Sequence, residues 1–293
     1  MRRSLLFVPG NHPGMLLNAD VYGADALILD LEDAVAPSEK DSARILVRNA
    51  LQSARYPGVE IIIRINPLDS EFITEDIKVM VALKPDFIMP TKVAGAEDII
   101  TIAAMITQAE KENGIEHGTT SLLPLLETAR GIENAYEVAT SNERVKAIFL
   151  GAEDLSSDLQ AIRSKSNEEI LYARGRVVMA ARAAGIDAYD TPFTDVNDDE
   201  GLVKDADYAR AIGFTGKAAI SPRHVHAINE AFSPTQKEIN YAREVMEAIK
   251  EAQRLGKGAI SLHGKMVDKP IVDRARRVLD TARALGLGGV GDE

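Results

Sequence analysis

Two short apolar runs in this chain each end in a carboxylate: LLPLLE at 122–127 and AIFLGAED at 147–154. An apolar run of this length bounded by polar residues reads as a buried strand. Parallel α/β folds keep their chemistry at the carboxyl ends of such strands. Glu127 and Asp154, delivered by two strands, therefore suit one hard cation such as Mg²⁺. That ion takes oxygen ligands, usually one or two carboxylates, with water and substrate oxygens completing the shell. The site stays open to a chelating 2-hydroxy or 2-oxo acid, which binds through its carboxylate and the adjacent oxygen. Arg64 ends the strongly apolar run IIIRIN. A guanidinium there must be paired or put to use, and it is suited to gripping a carboxylate bidentately. The glycine of GAED lets backbone N–H groups approach an anion.

The elements that must position these groups alternate from the start of the chain to about residue 230. Strands are expected near 4–8, 26–31, 60–65, 86–89, 121–126, 147–150, 186–189 and 218–220. Helices are expected near 15–22, 39–53, 71–82, 96–113, 132–140, 168–184, 197–212 and 223–230. Ser38, Gly95 and Gly185 supply start and stop signals. Eight strand–helix units favour a closed (β/α)₈ TIM barrel over 1–231, with an open doubly wound sheet as the alternative. The remainder, 232–293, predicts a C-terminal helical extension or lid that packs on the barrel or on a neighbouring subunit. It holds a long helix to about Leu255 capped by Ser233 or Thr235, a glycine-punctuated stretch, a last helix near 271–285 and a frayed tail from Gly286.

In a barrel, one mouth would gather Asp30, Glu32 and Asp33 after the second strand, Arg64 after the third and Lys92 after the fourth. Glu127 follows the fifth, Glu153 and Asp154 the sixth, and Asp190 the seventh. The plain alternative for any one of them is that loops are polar and collect charge. His12 in GNHPG sits at the same mouth, where a substrate contact is open to it. His224 and His226 invite a zinc site, but residues two apart on a helix do not share a face. With no third His or Cys nearby, structural roles are favoured, and His117 reads as a surface loop residue.

Composition removes other classes. The chain has 293 residues, 45 acidic against 34 basic, a net charge of −11 and no cysteine. That excludes thiolate catalysis and Cys-ligated zinc, and the acidity argues against nucleic acid. No Gly-x-Gly-x-x-Gly follows the first strand, nor a Gly-x-x-x-x-Gly-Lys loop. The amino-terminal apolar run is too short for a signal segment, and no stretch approaches the roughly 20 apolar residues of a membrane helix. A cytoplasmic protein is expected.

The motifs RRSLLFVPG, ALILDLEDAV, IIIRIN, LLPLLETARGI, GAEDLSSDL, AISPRHV and HGKMVDKP follow in that order. Together they resemble the citrate lyase beta-subunit family, of the HpcH/HpaI aldolase type, which also holds malyl-CoA and citramalyl-CoA lyases. The resemblance runs from about residue 2 to residue 277. It implies a (β/α)₈ barrel and a Mg²⁺-dependent oxo-acid lyase cleaving a citryl thioester, citryl-ACP, to an acetyl thioester and oxaloacetate. A free-standing malyl-CoA or citramalyl-CoA lyase is the alternative. By motif match the family's metal carboxylates fall on Glu127 and Asp154, and its substrate-carboxylate arginine on Arg64. Glu127 also borders the substrate, and the acidic pair of LEDAV falls on Glu32 and Asp33. The acid/base that reaches over a neighbour's mouth falls on Asp268 of MVDKP.

The partners implied are an acyl-carrier protein or CoA thioester, citrate lyase alpha and gamma subunits, and further copies of the chain in a trimer or hexamer. Two departures stand out. MPTKV replaces the usual LPK and displaces Lys92 by one position, and Ser221 stands where Asn is common. Arg274, Arg276 and Arg277 would suit an acidic carrier, although a solvated helix face is the plainer reading. A phosphotransfer barrel would need a phosphate-carrying His or a further basic cluster. A silent assembly subunit would not need both carboxylates and Arg64.

Overall fold

The computed structural model describes residues 1–53, 56–254 and 260–287. They fall in two units, Arg2–Ala231 and the segment from Phe232 on. In the first, the strands are β1 (Ser4–Pro9), β2 (Ala26–Asp30), β3 (Glu60–Ile65), β4 (Phe87–Pro90), β5 (Ser121–Leu122 and Leu125–Leu126), β6 (Ala147–Leu150), β7 (Asp187–Asp190) and β8 (Gly216–Ala219). All pair in parallel in chain order, and β8 pairs back to β1. β5 is interrupted near Pro124, which has no N–H to donate. The ladder carries through it, because Leu123 N–H reaches the Ile88 carbonyl and Phe149 N–H reaches the Pro124 carbonyl. The ring is closed: this is the (β/α)₈ barrel that the alternation of elements predicts. At the closing seam Gly216 leaves no room for a side chain, since a Cβ there would lie 2.1 Å from the Arg2 carbonyl oxygen.

Strand side chains alternate between barrel interior and helix layer. Ile28, Ile62, Met89, Leu125, Phe149 and Tyr189 share the interior cluster, while Leu27, Leu29 and Ile63 are equally buried on the outer face. Being buried on both faces is why these strands read as continuous apolar runs. At the amino-terminal end, Arg2 lies 4.6 Å over the Phe87 ring, donates to the Tyr189 hydroxyl at 2.9 Å and pairs with Glu60.

Several elements differ from expectation. The helix expected over 132–140 is two short ones, Ala129–Glu133 and Ala135–Thr140. Ser38 is not a cap but lies inside a 3₁₀ turn, Pro37–Glu39, ahead of the helix Lys40–Ser53. Gly95 and Gly185 do flank their helices, Gly185 with φ +72°. A helix that the sequence did not suggest, Ala152–Asp158, starts within the GAED motif.

The second unit has helices Gln236–Arg254 and Lys269–Ala284 packed through Ala242, Val245, Val272 and Ala275, with a hairpin Ile260–Leu262/Lys265–Val267 between them. Thr235 caps the first: its hydroxyl accepts from Glu238 N–H, and the Glu238 carboxylate accepts from Thr235 N–H. This is a reciprocal capping box. The expected end at Leu255, the stretch 256–259 and the tail 288–293 lie outside the described residues. Among the described residues no helix is long and apolar enough to cross a membrane.

His224 faces the core on the helix Pro222–Ala231, with neither ring nitrogen hydrogen-bonded, and burial lowers its pKa. Its native pKa therefore lies below the unfolded value. The associated stability is complete above about pH 6.5 and is lost as pH falls through the lowered native value. Replacing His224 by Leu should flatten the acid limb of stability against pH, measured by urea unfolding between pH 5 and 8. Parallel curves for parent and variant would contradict this.

Candidate active site

The period of two that builds the core also builds the site. Two residues beyond Ile28, Ile62, Leu125, Phe149 and Tyr189 stand Asp30, Arg64, Glu127, Gly151 and Thr191. All five line one cavity of about 340 Å³ at the carboxyl ends of the strands. Phe7, Met15 and Phe149 give it apolar walls, and Asp33, Glu153 and Asp154 border it.

Asp30 and Arg64 are register partners on β2 and β3. Asp30 takes the guanidinium bidentately, with Nε at 2.7 Å and Nη2 at 2.5 Å, and Arg64 lies 4.9 Å over the Phe7 ring. The forked face expected to grip a substrate is therefore occupied by Asp30. The remaining Nη1 is 3.1 Å from Glu32 and 3.9 Å from Asp33. Burial works against the Arg64 charge, but Asp30, Glu32 and Asp33 outweigh it and hold the guanidinium above its usual range. Asp30 also accepts from the N–H groups of Glu32 and Ala34, and Lys40 Nζ donates to the carbonyls of Leu31 and Glu32. The LEDAV turn is thus locked to the barrel end. Glu32 is buried beneath it and Asp33 is half exposed. Burial, joined by the Asp33 charge, raises the Glu32 pKa against the pull of Arg64.

Lys92 takes a left-handed backbone, φ +54°, uncommon for a side chain other than glycine or asparagine. That geometry aims its N–H at Glu127 Oε1 (2.8 Å), while its Nζ lies 3.4 Å from Glu32 and 3.7 Å from Asp154. The displaced lysine of MPTKV therefore stands at the centre of the carboxylates. Gly151 is obligatory for their packing: a Cβ there would lie 2.7 Å from Glu127 Cβ and 2.9 Å from its Oε2. Burial pushes the Glu127 carboxyl up to about 8, and the charges of Glu32 and Asp154 push the same way, against the Lys92 N–H and Arg64.

The donor set fits a hard divalent cation. Among the described residues no three His, Asp or Glu side chains form a ready-made metal cage. Two all-oxygen carboxylates, one of them buried and short of positive charge, are what Mg²⁺ uses when water and substrate supply the rest.

Other expectations resolve differently. Asp190 does not face the mouth; being adjacent to inward-facing Tyr189, it points outward into a buried cluster with Arg174 and Lys217. Glu153 pairs with Arg163. His12 caps the short helix Pro13–Leu17, its Nδ1 accepting from Met15 N–H. Asp268 is exposed and caps the helix Lys269–Ala284. His117 is exposed and lies near Glu110 and Arg144, and His226 is exposed beside Glu230. Ser221 precedes the helix Pro222–Ala231, its hydroxyl accepting from Arg223 N–H. Arg274, Arg276 and Arg277 are exposed on the last helix. Sequence reasoning passed over Thr191, whose signal is its place two residues beyond an inward-facing tyrosine.

Residues 3–222 match the family described as HpcH/HpaI aldolase/citrate lyase. The chain is 46% identical over 284 residues to the citrate lyase subunit beta of Leuconostoc mesenteroides subsp. cremoris, covering 97% of this chain and 94% of that protein. It is 32% identical to the mitochondrial citramalyl-CoA lyase of Rattus norvegicus, covering 97% and 87%. Among solved structures it is similar to the CitE protein of Mycobacterium tuberculosis in complex with magnesium, acetoacetate and coenzyme A. There the TM-score is 0.80 and the identity 28%, over 96% of this chain and 98% of that one.

A native Glu127 pKa near 8 against about 4.5 unfolded gives stability that is complete below 4.5 and lost as pH rises through 8. In metal-free protein, Glu127→Gln should therefore raise the melting temperature progressively more from pH 5 to pH 8. A pH-independent difference would contradict the raised pKa.

Proposed function

The chain belongs to the HpcH/HpaI aldolase/citrate lyase family, and from that membership we propose that this lyase cleaves a citryl thioester to an acetyl thioester and oxaloacetate. The observation that carries the reading is the convergence of Glu127 and Asp154 beside Arg64 in one apolar-walled cavity. The higher identity to a citrate lyase beta subunit than to a citramalyl-CoA lyase favours the citryl group.

In the proposed reaction the citryl hydroxyl loses its proton and the bond from the carbinol carbon to the thioester methylene breaks. The electron pair leaves as the enolate of the acetyl thioester, and the carbinol carbon becomes the ketone of oxaloacetate. Mg²⁺ held by Glu127 and Asp154 would supply Lewis acidity toward the hydroxyl and a carboxylate oxygen. Arg64 offers Nη1 to a substrate carboxylate while Asp30 keeps its fork aligned. Asp33, on the cavity wall, is the acceptor for the hydroxyl proton, and Glu32 beneath it holds Arg64 and Lys92 in place. The enolate takes one proton, for which the candidate donor is Asp268 of an adjacent copy.

The same reading makes the carrier an acyl-carrier protein or coenzyme A and the companions citrate lyase alpha and gamma subunits. It also implies the cytoplasm and a homo-oligomer in which the segment from Phe232 on serves as a lid for a neighbour.

Purified protein with Mg²⁺, offered citryl-CoA, malyl-CoA and citramalyl-CoA in turn, should release oxaloacetate from the first and lose activity on chelation. Asp268→Asn should lower turnover about 100-fold with metal affinity unchanged. Preference for malyl-CoA or citramalyl-CoA would assign the chain to the free-standing lyases instead, and wild-type turnover in Asp268→Asn would remove that residue from the mechanism.

A further inference from the structure

Behind the cavity, a buried group of charges reaches the turn that carries Asp154 from two sides, and we propose that Thr191, Asn167 and Arg163 are positioning residues for the cation site. The inference rests on the reading that Glu127 and Asp154 hold a divalent cation.

The anchor is Lys217 on β8, whose side chain is fully buried. Its Nζ meets Asp190 Oδ2 at 2.6 Å, Asp205 Oδ2 at 2.6 Å and the Thr191 carbonyl at 2.7 Å, which uses all three of its N–H bonds. Arg174 clamps Asp190 bidentately at 3.0 and 2.9 Å and reaches Asp205 at 2.7 Å. Burial pushes Asp205 up, but Lys217 and Arg174 outweigh it and hold its carboxyl below the usual range. Two cations and two anions balance one another, so the cluster has no charge left to offer a ligand. What extends from it are two arms.

The first arm runs through Thr191. Lys217 fixes its carbonyl, and its Oγ1 accepts from Ala152 N–H at 3.2 Å. Ala152 opens the helix Ala152–Asp158, of which Asp154 is the third residue. The first N–H groups of a helix lack partners within it and are normally met by a side chain at the preceding position. That position is Gly151, which has no side chain, because any Cβ would collide with Glu127. Thr191, just past the next strand, meets the N–H of the helix's first residue, while the N-cap position itself offers no side chain.

The second arm runs from Asp205 Oδ1 to Asn167 Nδ2 at 2.8 Å, from Asn167 Oδ1 to Arg163 Nη1 at 2.7 Å, and from Arg163 Nε to Glu153 Oε1 at 2.9 Å. Asn167 is in the left-handed region, φ +57°, which asparagine adopts more readily than most residues. Glu153 is more than half exposed, so its pair with Arg163 contributes little to stability. Its effect is local: of two adjacent acids, Glu153 is taken by a guanidinium, while Asp154 borders the cavity with Lys92 Nζ 3.7 Å away.

The test reads Mn²⁺ affinity of the metal-free protein by electron paramagnetic resonance, without substrate, so that a direct substrate contact by Thr191 does not contribute. Thr191→Val keeps the size and removes the acceptor, and it should weaken Mn²⁺ roughly tenfold. Thr191→Ser, which keeps the hydroxyl, should restore the parent affinity. Arg163→Gln, a change at a partly exposed position, should weaken Mn²⁺ in the same direction. Parent affinity in both Thr191→Val and Arg163→Gln overturns the proposal, and parent affinity in Arg163→Gln alone overturns its second arm. Failure of the parent protein to bind Mn²⁺ overturns the cation reading and this inference with it.

Discussion

Negative charge crowded into the carboxyl end of the barrel is the constraint to which the rest of the site responds. Asp30, Glu32, Asp33, Glu127 and Asp154 stand there against Arg64, Lys92 and, behind the LEDAV turn, Lys40. With every group ionised, and with Glu153 paired to Arg163, five acids against three bases leave a shortfall of two charges, the amount a divalent cation brings. Each like-charged pair about 4 Å apart at a partly buried site costs on the order of 4 kcal/mol before relief. The local structure shows how that cost is distributed without a cation. Arg64 is committed to Asp30, Lys92 divides itself between Glu32 and Asp154, and Glu127 keeps a proton until about pH 8.

The scaffold can hold this unfavourable set because the barrel leaves it little freedom. Asp30 and Arg64 face each other across one ladder position, and Glu127 is pressed against the turn at Gly151. The left-handed Lys92 backbone delivers an amide and an ammonium to the same cluster. Support from outside the cavity matters as much. Asp190 and Lys217, both on strands, give up the mouth to build the neutral cluster that fixes Thr191.

The barrel was legible in the sequence because its strands are buried on both faces and stand out as apolar runs. Glu127 and Asp154 were legible because they close two of those runs. The facing of each carboxylate was harder to read: alternation from Tyr189 sends Asp190 outward, which strand order alone does not reveal. Arg64 at the end of its strand was visible, but its partner is set by register between strands far apart in the chain. The helix Ala152–Asp158 has too short and polar a sequence for an apolar period, and its first N–H is met by Thr191, far away in the chain. The hairpin 260–267 lies in a glycine-punctuated stretch with no alternating pattern to announce it.

If the charge shortfall is what the site is built around, binding a divalent cation must expel the proton that Glu127 retains. Calorimetric titration of Mg²⁺ into chelator-stripped protein near pH 7, repeated in buffers of different ionisation enthalpy, measures that proton directly. The account predicts saturable binding with release of close to one proton, and release that disappears in Glu127→Gln. Binding with no proton release, or no binding at all, would contradict it.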